Sequence, residues 1–179
     1  MKQKFSIQQM CITALFMALV CVATMVIQIS IPLGYAHLGD CMILFTAYMF
    51  GPVVGALASG IGSALADIFT GFAIWAVPTL IIKTIMPLIA WAFFRKSKEM
   101  PTLLASTEKV LSVKVIAGSI VTLLFMVICY VIAGAILYGS VAMGIASAPG
   151  LLIKAVVNFA VFIVLTLAVS TPLKKYLRN

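Results

Sequence analysis

The chain has 179 residues and a mass of 19.1 kDa, is 64% hydrophobic and 9% charged, and has a mean hydropathy of +1.25. Soluble domains are roughly 45–50% apolar and about 25% charged, so this composition predicts an all-α integral membrane protein. At about 20 apolar residues per crossing there is room for six or seven spans and none for a soluble domain, which excludes a self-contained membrane ATPase.

Apolar runs lie at about 7–29, 40–50, 52–70, 77–94, 113–137 and 150–171. The first follows Lys2 and Lys4 but is longer than a signal-peptide core and lacks a small-residue cleavage site, so it reads as a retained span. It carries Ala14 and Ala18 in AxxxA spacing, a pattern that is weak alone. A polar, breaker-rich stretch at 31–40 precedes the short second run, and Gly51-Pro52 marks the turn into the third. The third run places small residues at 51, 55, 59, 62 and 66, spacing that lets helix backbones approach closely. Cys11, Cys21, Cys41 and Cys129 lie scattered in apolar sequence and read as small hydrophobes. A lone histidine rules out a multi-histidine metal site, and no metal ligands are expected.

Twelve Lys and Arg oppose four Asp and Glu, for a formal charge of +8. In a soluble chain that balance would suggest nucleic acid; here its placement matters more. Lys2, Lys4, Arg95, Lys96, Lys98, Lys109, Lys114, Lys174, Lys175 and Arg178 all fall in the two tails or the 95–114 connection. The positive-inside rule places those regions in the cytoplasm. An even number of crossings must then precede residue 95, so the short second run also crosses. Six transmembrane helices with both termini cytoplasmic follow, forming one domain over residues 1–179 in the cell membrane.

Four charged residues break the apolar runs: Asp40, Asp67, Lys83 and Lys154. In this topology they lie at a similar depth near the outer face. A buried charge needs a partner or a watery cavity, and two acids with two bases can balance. Tyr35, His37, Trp75, Thr79 and Asn158 supply aromatic faces and hydrogen-bonding groups at the same level, and Thr79/Lys83 and Lys154/Asn158 are i, i+4 pairs. The competing interpretation is a set of lysines snorkelling outward and ion pairs that only fix helix packing. His37 is either a gate residue or a solvated loop residue. Together these side chains predict an outward-facing pocket for a small polar molecule with an aromatic ring.

With Gly34-Tyr35-Ala36-His37-Leu38-Gly39-Asp40, the Gly-Pro-x-x-Gly turn at 51–55, the Gly-Ser-Ala-Leu-Ala-Asp run at 62–67 and Thr79-Leu80-Ile81-Ile82-Lys83 in this order, the chain resembles the substrate-binding S-components of energy-coupling factor (ECF) vitamin transporters. The Gly-x-x-x-Leu-Gly-Asp stretch is most similar to the pyridoxine and hydroxymethylpyrimidine group. The resemblance implies a six-helix fold whose vitamin site is capped by the loops at about 30–39 and 71–77. It implies that Ala14 and Ala18 pack against a transmembrane coupling protein, which joins the S-component to two ABC-type ATPase subunits. ATP and Mg would be bound by those partners; the absence of GxxxxGK[ST] here agrees. No cofactor and no enzymatic activity are expected in this chain.

The expected ligand is a heteroaromatic such as pyridoxine or hydroxymethylpyrimidine, stacked on Tyr35 or Trp75 and hydrogen-bonded by Asp40, Asp67, Lys83 and Asn158. A pantothenate- or riboflavin-type S-component is the alternative, and an anionic vitamin would lean on Lys83 and Lys154. A membrane enzyme using Asp40 and Asp67 as an acid–base pair lacks a nucleophile with an adjacent base. A solitary ion-driven transporter with Asp67 as its ion site lacks a visible inverted repeat.

Overall fold

The computed structural model describes residues 6–26, 28–31, 34–94 and 110–177. Lys2, Lys4, Arg95, Lys96, Lys98, Lys109 and Arg178, which set the expected orientation, lie outside the described residues. Helix α1 (Ile7–Val26) starts at a reciprocal cap. Ser6 Oγ accepts from the Gln9 amide at 3.2 Å and Gln9 Oε1 accepts from the Ser6 amide at 3.0 Å. A short antiparallel hairpin follows, β1 (Ile29–Ile31) and β2 (Gly34–Ala36), with Ser30 opposite Tyr35. Composition gave no sign of strands there, and the hairpin is a local feature of the polar loop.

Helix α2 (Gly39–Phe69) is continuous except at Gly51, where φ is 85°. That left-handed backbone suits glycine, and Pro52 after it has no amide to leave unpaired. The chain folds back there: a Cβ on Gly55 would lie 3.4 Å from the Ala47 Cα, an approach impossible eight residues along a straight helix. A straight helix would hold Asp40 and Asp67 about 40 Å apart; the reversal returns both to the hairpin end. Segments 39–50 and 52–69 thus correspond to the second and third apolar runs. Gly71, with φ of 85°, closes α2, and the Phe72 amide reaches back to the Asp67 carbonyl at 2.8 Å.

A 3-10 turn, Ala73–Trp75, leads into α3 (Ala76–Phe94). Helix α4 (Val113–Leu137) is capped by Ser112, whose hydroxyl accepts from the Val115 amide. The six-residue α5 (Val141–Ala146), capped by Ser140, fills the connection to α6 (Ala148–Leu177). Among the described residues, five helical stretches are long and apolar enough to cross a membrane: Ile7–Val26, Gly39–Phe69, Ala73–Phe94, Val113–Leu137 and Val141–Val169. This is a multi-pass membrane protein whose spanning part is all-α.

Helix α2 is the hub, 72% buried in its most apolar window against 22–39% for the other four stretches. Its small residues make that possible: a Cβ on Gly62 would meet the Met17 carbonyl of α1 at 2.5 Å, and one on Gly55 would meet the Pro87 ring of α3 at 2.9 Å. Away from the hairpin the interior is dry, with Phe94 and Phe162 stacked at 6.1 Å and Tyr48 edge-on to both. Hydroxyls within the helices, including Thr46, Ser119 and Thr122, bond back to carbonyls four residues earlier. Many outward-facing side chains are large and apolar, including Leu15, Ile81, Ile128 and Val156, as suits lipid contact.

Candidate functional site

The polar side chains singled out in the sequence converge beneath the hairpin. Asp40, in the first turn of α2, accepts a hydrogen bond from Lys83 of α3 through Oδ1, and both side chains are fully buried. Lys154 of α6 places Nζ 3.1 Å from Asp40 Oδ2, off the line of a hydrogen bond, so Oδ2 has no hydrogen-bonded partner among the described residues. One carboxylate therefore faces two ammonium groups from two helices. Neither lysine snorkels: Lys83 is 0% and Lys154 4% exposed, which overturns the interfacial interpretation.

His37 is also buried, at 7% exposure, contrary to a solvated loop residue. Gly39 makes the approach possible, since a Cβ there would collide with Thr24 Oγ1 and lie 2.8 Å from the imidazole. Nδ1 accepts from the Gly39 amide at 2.9 Å, and Nε2 lies 2.9 Å from Lys154 Nζ. Burial first, and then the Lys154 ammonium, hold the imidazole well below its ordinary pKa, so it is neutral at neutral pH. Asn158, one turn beyond Lys154, is committed to backbone. Its Oδ1 accepts from the Cys41 amide at 2.8 Å, while Nδ2 donates to the His37 carbonyl at 2.8 Å and the Lys154 carbonyl at 2.9 Å. It ties the hairpin exit and the start of α2 to α6, with both Nδ2 protons engaged by backbone carbonyls.

Asp67, at the far end of α2, belongs to a second group. The Tyr35 hydroxyl donates to its Oδ1 at 2.6 Å, while its buried Oδ2 has no hydrogen-bonded partner among the described residues. Burial and this bond raise the Tyr35 pKa, so the phenol keeps its proton. Tyr35 packs on Phe72 at 4.8 Å and on His37 at 5.4 Å, joining the hairpin to the turn after α2. Trp75 is buried with its Nε1 unpartnered among the described residues, beside Tyr130 at 5.7 Å and Tyr138 at 6.1 Å. Thr79 shares a 3.0 Å hydrogen bond with the Tyr130 hydroxyl.

All nine expected residues, Tyr35, His37, Asp40, Asp67, Trp75, Thr79, Lys83, Lys154 and Asn158, therefore lie at one end of the bundle. Phe72, Tyr130 and Tyr138 join them without having been anticipated. Ser119 and Thr122 of α4 bond back within their own helix, whereas the Tyr130 hydroxyl in the same apolar helix is too far from its own backbone to do so, and that was the available signal. Ala14 and Ala18 lie elsewhere, on the exposed face of α1. The arrangement combines buried carboxylate oxygens without hydrogen-bonded partners among the described residues, ammonium donors and aromatic faces.

The chain matches the family of ECF-type riboflavin transporter S components over residues 4–175. A protein of Pyrococcus woesei described as an uncharacterized protein in the gap 3' region is 38% identical over 117 residues, 64% of this chain and 74% of that one. A solved S component of a bacterial ECF transporter superposes with a TM-score of 0.72, covering 93% of this chain and 98% of that one, at 22% identity. At that identity the likeness is one of fold. The family match corrects the expected placement in the pyridoxine and hydroxymethylpyrimidine group: the Gly-x-x-x-Leu-Gly-Asp stretch builds the hairpin exit and positions the buried Asp40, and by itself does not distinguish one ligand group from another. Matched along nearly its whole length, this chain belongs to the ECF-type riboflavin transporter S components.

Proposed function

We propose that the vitamin bound at this site is riboflavin, captured beneath the hairpin and the 73–75 turn. S-components are non-catalytic binding subunits that work in the membrane with a coupling protein and ATPase subunits, so the open question is which small vitamin this one binds. The observation that carries the reading is the order of groups at Asp40. Lys83 on Oδ1 and Lys154 beside Oδ2, which accepts no hydrogen bond among the described residues, set an ammonium donor on either side of a carboxylate acceptor. The flavin ring offers the complement, carbonyl, N–H and carbonyl, on its pyrimidine edge. Pyridoxine has no such edge, and an anionic pantothenate would bring its carboxylate against that of Asp40. Tyr35 and Trp75 would flank the ring, and Asp67 Oδ2 would accept from a ribityl hydroxyl.

The finer architecture belongs to the same proposal. The Gly51 reversal supports six crossings, which with the basic tails and the 95–114 connection puts both termini in the cytoplasm. The exposed Ala14 and Ala18 face of α1 would then meet the coupling protein, and all 179 residues would act as one binding domain. Flavin fluorescence tests the ligand directly. Riboflavin should be quenched stoichiometrically by the purified chain, whereas N3-methylriboflavin, whose imide proton is replaced by a methyl group, should bind at least about tenfold more weakly. A thermal-shift response to pyridoxine or pantothenate with none to riboflavin would overturn the assignment.

A further inference from the structure

Two ammonium groups share a single aromatic ring. Lys83 Nζ lies 5.1 Å and Lys154 Nζ 5.5 Å from the centroid of Tyr130, both inside the range of about 6 Å over which a ring face attracts a cation. Asp40 is the carboxylate in direct contact with both lysines, while Asp67, whose charge also reaches them, is bonded to Tyr35, and His37 is neutral. Two buried ammonium groups held on one carboxylate repel each other, and the negative face of an aromatic ring offsets part of that cost. Tyr130 is fixed at both ends for that task, by its hydroxyl on Thr79 at 3.0 Å and by the Trp75 ring at 5.7 Å.

We propose that Tyr130 is a positioning residue of the vitamin site, its ring gathering the Lys83 and Lys154 ammonium groups into the spacing that reads the ligand edge. Lysine has a long flexible stem and compact, strongly hydrated charge. Lys83 is anchored by Asp40, but Lys154 meets Asp40 off-line and His37 through a ring nitrogen, so the ring face supplies the constraint that its other contacts lack. The hydroxyl serves the ring by orienting it; the ring serves the lysines. This inference rests on the riboflavin reading for its ligand, but not for its geometry.

The test replaces Tyr130 with phenylalanine and then with mono-, di- and trifluorinated phenylalanine. These side chains keep nearly the same shape while the ring face loses its negative potential. Taking Tyr130→Phe as the reference, riboflavin affinity should weaken at each added fluorine to a total of about tenfold or more. The midpoint of thermal unfolding without ligand should fall in the same order. A riboflavin affinity that is flat across the fluorine series overturns the proposal, whatever the midpoints do, because simple aromatic packing would give that result. If the unsubstituted chain does not bind riboflavin, the ligand assignment fails instead, and the ligand-free midpoints decide between a ring that holds the lysines and one that only packs.

Discussion

Asp40 and Asp67 are the same residue in the same helix, brought to one end of the bundle by one glycine, yet their surroundings differ. Asp40 is fully buried between two lysines from α3 and α6 and opens α2. Asp67 is 5% exposed, accepts from a phenol of the hairpin, lies close to Thr79, and has an Oδ2 without a hydrogen-bonded partner among the described residues. The first carboxylate joins helices; the second joins a helix to a loop that roofs the site. Depth in the bundle therefore does not set a charged residue's role. What differs is whether the partner lies on another spanning helix or on the hairpin.

The sharpest way to break this comparison is to neutralise each acid in turn. Asp40→Asn removes the charge facing two buried lysines and should cost about 3–5 kcal/mol, seen as a large fall in the detergent unfolding midpoint or failure to purify folded protein. Asp67→Asn keeps a group that can accept from Tyr35 and should cost no more than about 1–2 kcal/mol, while riboflavin binding weakens. Equal losses of stability for the two variants would show that the division between scaffold and roof is wrong. Asn158→Leu ranks next. It strands the Cys41 amide and the His37 carbonyl and should cost about 3 kcal/mol, with faster hydrogen exchange concentrated at the start of α2.

Much of this arrangement was legible in the sequence because hydrocarbon makes polar residues conspicuous. Asp40, Asp67, Lys83 and Lys154 break apolar runs, and charge topology alone placed them at one level; the Gly51-Pro52 pair marked the reversal that topology required. Pairing was not legible, because two acids and two bases at similar depth admit several matchings, and helix rotation chose one that serves Asp40 twice. The ligand group was misread for a related reason: the motif that suggested it shapes a hairpin exit, and a buried aspartate there suits many ligands. The role of Asn158 in bonding the backbone was not legible either, because i, i+4 spacing gives a shared face with Lys154 but not what that face meets, which here includes the backbone at residues 37 and 41.

A milder probe uses pH. With its pKa held below the ordinary value, His37 stays neutral in the folded chain while the unfolded chain takes up a proton near pH 6.5. Stability from this residue is therefore present above that pH and is lost as pH falls through it. Between about pH 7.5 and pH 5 the loss should be at most about 2 kcal/mol. His37→Asn should flatten that part of the profile; an unchanged slope would place the titrating group elsewhere. Lys154, Lys83, Asp40 and the Tyr35 ring all face or surround this imidazole, so the profile reports the joint between hairpin and cluster.

The gentlest change is Tyr35→Phe, which keeps the ring on Phe72 and deletes the hydroxyl that reaches Asp67. If the hairpin roofs the site through this bond, the global midpoint should move little, by about 1 kcal/mol, because the helices pack without it. Local opening should respond more: amide exchange in residues 34–37 should accelerate several-fold while that of α2 and α3 stays unchanged. Riboflavin release should quicken more than capture slows, since a loosened roof shortens residence without altering the encounter. Were exchange to accelerate equally in α2 and α3, the phenol would be part of the scaffold, and Asp67 would stand alongside Asp40 as a residue that joins spans.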